Sequence, residues 1–189
     1  AIKTAEVKPG STVAVFGCGG VGLNVIQGAR IAGAKTIIAV DISDEKLNIA
    51  KKVGATHTVN ASKEDPVAFI KNLCGGADYV FDASGRESTI SQAWLATGVQ
   101  GQLTLVGLLK NGAQITLDAG PFVNEQSIKG CYFGSANLQV DVISLVKSYL
   151  SGELFLDELI SERIGLAGLN EAVNRLRAGE GARNVLVFD

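Results

Sequence analysis

The run Gly17-Cys18-Gly19-Gly20-Val21-Gly22 has the spacing of a turn that cradles a diphosphate. Its first glycine allows a tight turn, and Gly19 lets a pyrophosphate approach the backbone. Gly22 lets the helix that follows lie close on a sheet. An anion there meets free N–H groups at a helix N-terminus. Gly20 and Val21 belong to the same turn. Asp41 follows about 20 residues on, the distance at which a carboxylate meets the ribose hydroxyls of an adenosine. That carboxylate would repel a 2′-phosphate, so the pattern favours NAD over NADP. Ile42 and Ser43 stand where an NADP-selective site would offer an arginine.

Two further segments carry glycine where a ligand would need close backbone approach: Ala83-Ser84-Gly85-Arg86 and Gly107-Leu108-Leu109. Both follow apolar runs, at the carboxyl ends of strands, where open α/β sheets bind their ligands. Other reactive types point nowhere. His57 is the sole histidine, and neither it nor any of the three cysteines has a partner at metal-ligand spacing. No metal site is expected. Cys18 lies at a helix N-terminus, a place that favours a thiolate, yet it reads as a small spacer. Asp78, Asp82 and Glu87 gather near one strand, where acids are expected to be solvated. No catalytic acid–base pair emerges, so no catalytic residue is assigned.

The elements that must hold these residues alternate. Thr12–Phe16 reads as the first strand, and Val21, Val25, Gly28 and Ala32 recur at helical spacing behind the glycine turn. Residues 35–40 make a second strand, and Ser43 caps a helix carrying Leu47, Ala50 and Val53. His57-Thr58-Val59 is a third strand. Asp65-Pro66 opens a helix, because proline is tolerated at the first helical position. Tyr79–Phe81, Leu103–Val106 and Ile128–Phe133 complete six strands. Runs apolar on both faces mark a parallel sheet covered by helices. The expectation is a doubly wound α/β sheet of the Rossmann type, ordered 3-2-1-4-5-6. A tail follows, with a helix over 142–150, a strand over 159–164, a helix around Leu169–Leu176 and a last strand from Asn184. Two lone strands and one helix cannot bury a core of their own.

Composition narrows the functional classes. The 189 residues have a net charge of −2, which leaves no electrostatic footprint for nucleic acid or anionic membrane. No apolar run is long enough to span a bilayer, and no signal-peptide stretch follows Ala1. Three widely spaced cysteines suit a reducing cytoplasm. With no methionine and an alanine first, the sequence reads as a piece of a longer chain.

The stretch from Val7 through Val40-Asp41, with Val53-Gly54-Ala55-Thr56, Phe81-Asp82-Ala83-Ser84-Gly85-Arg86 and Leu176-Arg177-Ala178-Gly179, resembles the medium-chain dehydrogenase/reductase family. The closest likeness is to its zinc-dependent alcohol dehydrogenase branch, over essentially the whole chain. The resemblance implies that Val21 packs behind the nicotinamide ring of NAD. It places Lys46 at the adenosine ribose and Arg86 by the adenine. Val106, Gly107, Leu108 and the segment from Cys131 to Phe133 would hold the carboxamide, and Arg183 would reach the pyrophosphate. The segment from Ile115 to Phe133 resembles the region that joins two cofactor domains into a homodimer, with strand 128–133 as the seam. The family's zinc ligands and proton relay precede the point where this sequence begins, so zinc would belong to the full-length parent alone. Residues 1–151 would then be the NAD-binding domain, and 152–189 would pack on a GroES-like catalytic domain. The parent's substrate would be a small alcohol or aldehyde. Two rival readings stand beside this one: a stand-alone NAD-sensing module, and the cofactor domain of a zinc-free quinone or enoyl reductase.

Overall fold

In the computed structural model, residues 1–188 are described. A short helix α1 (Ile2–Ala5) leads into β1 (Thr12–Phe16), α2 (Gly20–Ile31), β2 (Thr36–Asp41), α3 (Asp44–Val53) and β3 (His57–Asn60). Then come α4 (Pro66–Cys74), β4 (Ala77–Asp82), α5 (Glu87–Ala96), β5 (Thr97–Leu105) and β6 (Ser127–Gly130). The six strands form one sheet in the order β3-β2-β1-β4-β5-β6, and every neighbouring pair is parallel. This is the doubly wound order expected from the alternation of elements.

Helix boundaries follow local chemistry. The Ser43 hydroxyl accepts from the Lys46 N–H at the start of α3. Asp65 accepts from the N–H groups of Val67 and Ala68, with Pro66 at the first helical position of α4. Gly54, at φ +127°, closes α3 in a conformation that side chains resist.

Alternate residues of the strands feed two buried layers. Val13, Val15, Ile37, Ala39 and Phe81 face α2 and α3, where Leu23, Ile26, Leu47 and Val53 meet them. Ala14, Phe16, Ile38, Val40 and Val80 face the other way, toward Ile70, Ile90 and Trp94. Trp94 is fully buried, and its indole N–H donates to the Asp118 carbonyl at 2.8 Å.

Three expectations need correction. The buried face of α2 is carried by Leu23, Val25, Ile26 and Ala29, while Val21 is 55% exposed. The close approach of Gly22 to the sheet turns its neighbour Val21 outward. The sixth strand stops at Gly130 rather than running to Phe133. Phe133 and Gly134 take positive φ angles of +51° and +67°, so the chain curls off the sheet. In the tail, Leu159 sits in a 3-10 turn, and the strand there is only β7 (Glu162–Ile164).

Beyond the sheet lie α6 (Leu138–Leu150), β7, α7 (Leu169–Arg177) and β8 (Asn184–Leu186). The two tail strands pair with each other, in parallel. Apolar side chains of α6 such as Leu138, Ile143 and Leu145 are more than half exposed. The tail is nevertheless moored to the sheet's helical layer through Leu159, which is buried in the same layer as Leu23 and Ile26.

Candidate cofactor-binding site

Parallel register sets Phe16 level with Val40 and Asp82, and Asp82 level with Leu105. The carboxyl ends of four strands therefore finish on one line. Crossovers leave β1 toward β2 on one side, while β4 continues the sheet on the other, which opens a crevice between the two halves. A cleft of about 600 Å³ occupies it. The Gly17 N–H donates to the Val40 carbonyl and the Ala83 N–H to the Phe16 carbonyl, both at 2.8 Å, which holds its floor together.

Two glycines of the turn answer separate demands. Gly17 has φ +95°, a conformation open to glycine. A Cβ on Gly22 would lie 1.8 Å from the Gly17 carbonyl oxygen, so the helix can meet the turn only without a side chain. Gly19 differs. Its φ of −74° suits any residue, and a Cβ there would touch no protein atom within 4 Å. Nothing in the protein requires Gly19 to be glycine. The open space in front of it, at the N-terminus of α2, is where an anion would lie.

Asp41 ends β2 at the wall of the cleft. Its Oδ2 accepts from the Cys18 N–H at 2.7 Å and its Oδ1 from the Ser43 N–H at 3.0 Å. Each carboxylate oxygen keeps a further lone pair for a ligand hydroxyl. Ile42, Lys46, Ser84 and Arg86 line the same cleft with Gly17, Gly19 and Asp41. Cys18 is fully buried, and burial, with the Asp41 charge second, pushes its thiol well above the ordinary range. Desolvation opposes the thiolate form that a helix N-terminus favours, and the side chain packs as a small buried group. His57 is likewise a packing residue: its Nδ1 lies 2.9 Å from the Thr56 hydroxyl and its ring meets Phe69 edge-on.

Asp82 is not solvated as expected but completely buried. Its carboxylate accepts from the Ser84 hydroxyl at 2.7 Å, the Gly85 N–H at 2.9 Å and the Ser84 N–H at 3.3 Å. A buried polar group is tolerable when hydrogen bonds replace its water, and here they fold the loop after β4 into a fixed shape. The Asp82 carbonyl also takes the N–H groups of Val106 and Gly107. Gly85 and Gly107 lie backbone against backbone: a Cβ on Gly107 would stand 2.2 Å from the Gly85 nitrogen. Asp78 and Glu87, the other acids read as solvated, are exposed, and Asp78 also accepts from the Thr12 N–H at 2.7 Å.

The remaining anticipated residues stand outside this cleft. Val21, Leu108 and Phe133 project from the carboxyl edge with 55%, 95% and 72% exposure. Arg183 comes back from the far end of the chain. Its guanidinium lies 3.8 Å, and the Ala182 carbonyl 3.2 Å, from where a Cβ on Gly20 would be. Ala178 and Gly179 also line the cleft, unassigned from sequence. They stood inside the quoted Leu176–Gly179 motif, but nothing local showed that the tail returns to the glycine turn. Among the described residues, no three His, Cys, Asp or Glu side chains gather closely enough to hold a metal ion.

The sequence model of the zinc-binding dehydrogenase family matches residues 20–148. S-(hydroxymethyl)glutathione dehydrogenase of Paracoccus denitrificans is 37% identical over 99% of this chain and 52% of its own length. The chain thus spans about half the length of that relative. Among solved structures, an alcohol dehydrogenase zinc-binding domain protein from Burkholderia ambifaria superposes with a TM-score of 0.94 at 33% identity, covering 100% of this chain and 51% of that one. A Sinorhizobium meliloti protein described as a zinc-binding dehydrogenase and bound to NADP superposes with a TM-score of 0.88 at 26% identity, covering 99% of this chain and 55% of that one.

Proposed function

The chain belongs to the zinc-binding dehydrogenase family, and on that footing we propose that it holds NAD(H) for an enzyme that interconverts an alcohol and an aldehyde. The observation that carries the reading is Gly19, a glycine that neither backbone conformation nor packing demands, facing open space at a helix N-terminus beside Asp41. A bound dinucleotide fits that open space.

NAD(H) supplies the hydride acceptor or donor, and the residues of this chain bind and orient it. The N–H groups at the start of α2 take the diphosphate, with the Arg183 guanidinium beside Gly20. Asp41 accepts from the adenosine ribose hydroxyls, with Lys46 at the same ribose and Arg86 toward the adenine. Val21 packs behind the nicotinamide, while Val106, Gly107, Leu108 and Phe133 line its carboxamide. The exposure of Val21, Leu108 and Phe133 at one edge leaves that end of the cofactor open toward whatever delivers substrate. NAD is preferred to NADP because the Asp41 carboxylate would face the added phosphate and a second negative charge there is repelled. Titrating the full chain, as its gene encodes it, with NADH and with NADPH tests this. NADH should bind at least about tenfold more tightly, a difference of about 1.4 kcal/mol; equal affinities would overturn the assignment.

The wider reading rests on the relatives. Residues 1–151 form the cofactor domain, and 152–189 pack partly on a catalytic domain elsewhere in the polypeptide, whose residues hold the zinc. The substrate is a small alcohol, and the relative from Paracoccus denitrificans makes a hydroxymethyl thiol one candidate class. Two copies join through the segment 128–133, since β6 is paired on one side only. The free cysteines suit the cytoplasm. No described helix is long and apolar enough to cross a membrane.

A further inference from the structure

Arg183 is exposed, on a loop at the end of a long tail, yet its backbone is gripped from both sides by one residue. The Ser161 N–H donates to the Arg183 carbonyl at 2.7 Å. The Ser161 hydroxyl accepts from the Ala182 N–H at 2.7 Å and from the Arg183 N–H at 3.3 Å. A hydroxyl oxygen has two lone pairs, enough for both amides. Gly181, at φ +67°, completes the fit, since a Cβ there would stand 2.9 Å from the Ser161 hydroxyl oxygen.

Ser161 is itself tied to the helix that carries the glycine turn. Two residues before it, Leu159 is buried against that layer. Further back, the fully buried Gln27 of α2 pairs with both backbone groups of Phe155: its Nε2 donates to the carbonyl at 2.8 Å, and its Oε1 accepts from the N–H at 2.7 Å. The Arg30 guanidinium lies over the Phe155 ring, 5.1 Å from its centre. The path therefore closes on itself. It leaves α2 at Gln27, runs through Phe155, Leu159 and Ser161, and returns at Arg183 to the first turn of the same helix.

We propose that Ser161 is a positioning residue, whose hydroxyl holds the loop 181–183 so that the Arg183 guanidinium is aimed at the diphosphate site before the dinucleotide arrives. This rests on the reading that the diphosphate lies at Gly19–Gly20. A free arginine side chain loses rotamer freedom when it binds, and fixing its backbone in advance removes part of that cost. The clasp raises affinity through Arg183 and through nothing else.

Binding to the full chain, followed by calorimetry with NADH, ADP and adenosine, separates the possibilities. Ser161→Ala and Ser161→Cys should each weaken NADH and ADP by about fivefold, the worth of one net hydrogen bond. Adenosine, which has no diphosphate, should bind as before. Ser161→Thr keeps the hydroxyl and should restore the affinity. In an Arg183→Ala background, Ser161→Ala should add nothing. If Arg183→Ala leaves ADP binding unchanged, the diphosphate reading of Arg183 itself fails and the proposal with it. If Arg183→Ala weakens ADP but Ser161→Ala does not, or does so equally with and without Arg183, the diphosphate reading survives and the positioning role is wrong. Loss of adenosine binding in Ser161→Ala would show a general structural role instead.

Discussion

The backbone N–H of Cys18 donates to Asp41 Oδ2 at 2.7 Å, so the carboxylate read as a ribose acceptor is also the strut that holds the glycine turn. The other oxygen accepts from Ser43 at the start of α3. One side chain thus joins the turn, the end of β2 and the next helix, and its removal has two consequences.

Asp41→Gly should weaken NADH binding by more than about tenfold, because charge-assisted hydrogen bonds are worth about 1.5–3 kcal/mol each. It should also lower stability by about 1–3 kcal/mol, as the Cys18 N–H loses its partner. Adding Ile42→Arg should raise NADP affinity through a guanidinium–phosphate pair. Calorimetry with both cofactors and a urea melt check this. Unchanged NADH affinity would mean that the ribose lies elsewhere.

Gly19 and Gly22 should separate binding from folding. Gly22→Ala places a Cβ 1.8 Å from a backbone oxygen, so it should sharply lower the melting temperature. Gly19→Ala meets no protein atom and needs no unusual φ, so it should cost only what alanine loses to glycine at a helix N-cap, about 0.5–1 kcal/mol, far less than Gly22→Ala. It should still lose dinucleotide affinity, because the methyl group stands where the ligand approaches. A Gly19→Ala protein that binds NADH normally would remove the main support for the site.

Cys18 should resist alkylation in the native protein while the exposed Cys74 reacts. The sign of the pH effect follows from burial, which raises the Cys18 thiol above its unfolded value of about 8.5. Its contribution to stability is whole below that value. It declines as pH rises further, because the unfolded chain then ionises the thiol and the folded chain does not. Between about pH 8 and 10, Cys18→Ala should lose less stability than the parent in urea melts. Equal losses would show that other groups govern the alkaline limb.

Assembly can be measured directly. β6 is paired with β5 alone, and an open sheet edge is a ready surface for a second strand. Sedimentation of the full chain at micromolar concentration should show a species built on two-fold pairs. A monomer would remove the segment 128–133 as the seam.

Much of this molecule was legible because its causes are local. The glycine turn, the Ser43 cap, the Asp65-Pro66 start and the apolar strands each depend on sterics and hydrogen bonds within a few residues, so residue types and spacing sufficed to anticipate the sheet order as well. The place of Asp41 at the end of β2, beside the turn, was readable for the same reason, as its distance from the turn is set by one βαβ unit. Other features depend on what comes to lie beside a residue. Asp82 has the look of a solvated strand-end acid, and only packing of the loops after β4 and β5 seals it from water. The sixth strand ends where Phe133 and Gly134 turn left-handed, which an apolar run does not announce. Gln27 meets Phe155 across 128 positions of chain, and Arg183 meets Gly20 across nearly the whole sequence. Sequence by itself determined the turn, the strands and the carboxylate, because backbone geometry is decided among neighbours. Tertiary structure alone decided burial and the return of the tail, because those are set by contacts that no local pattern encodes.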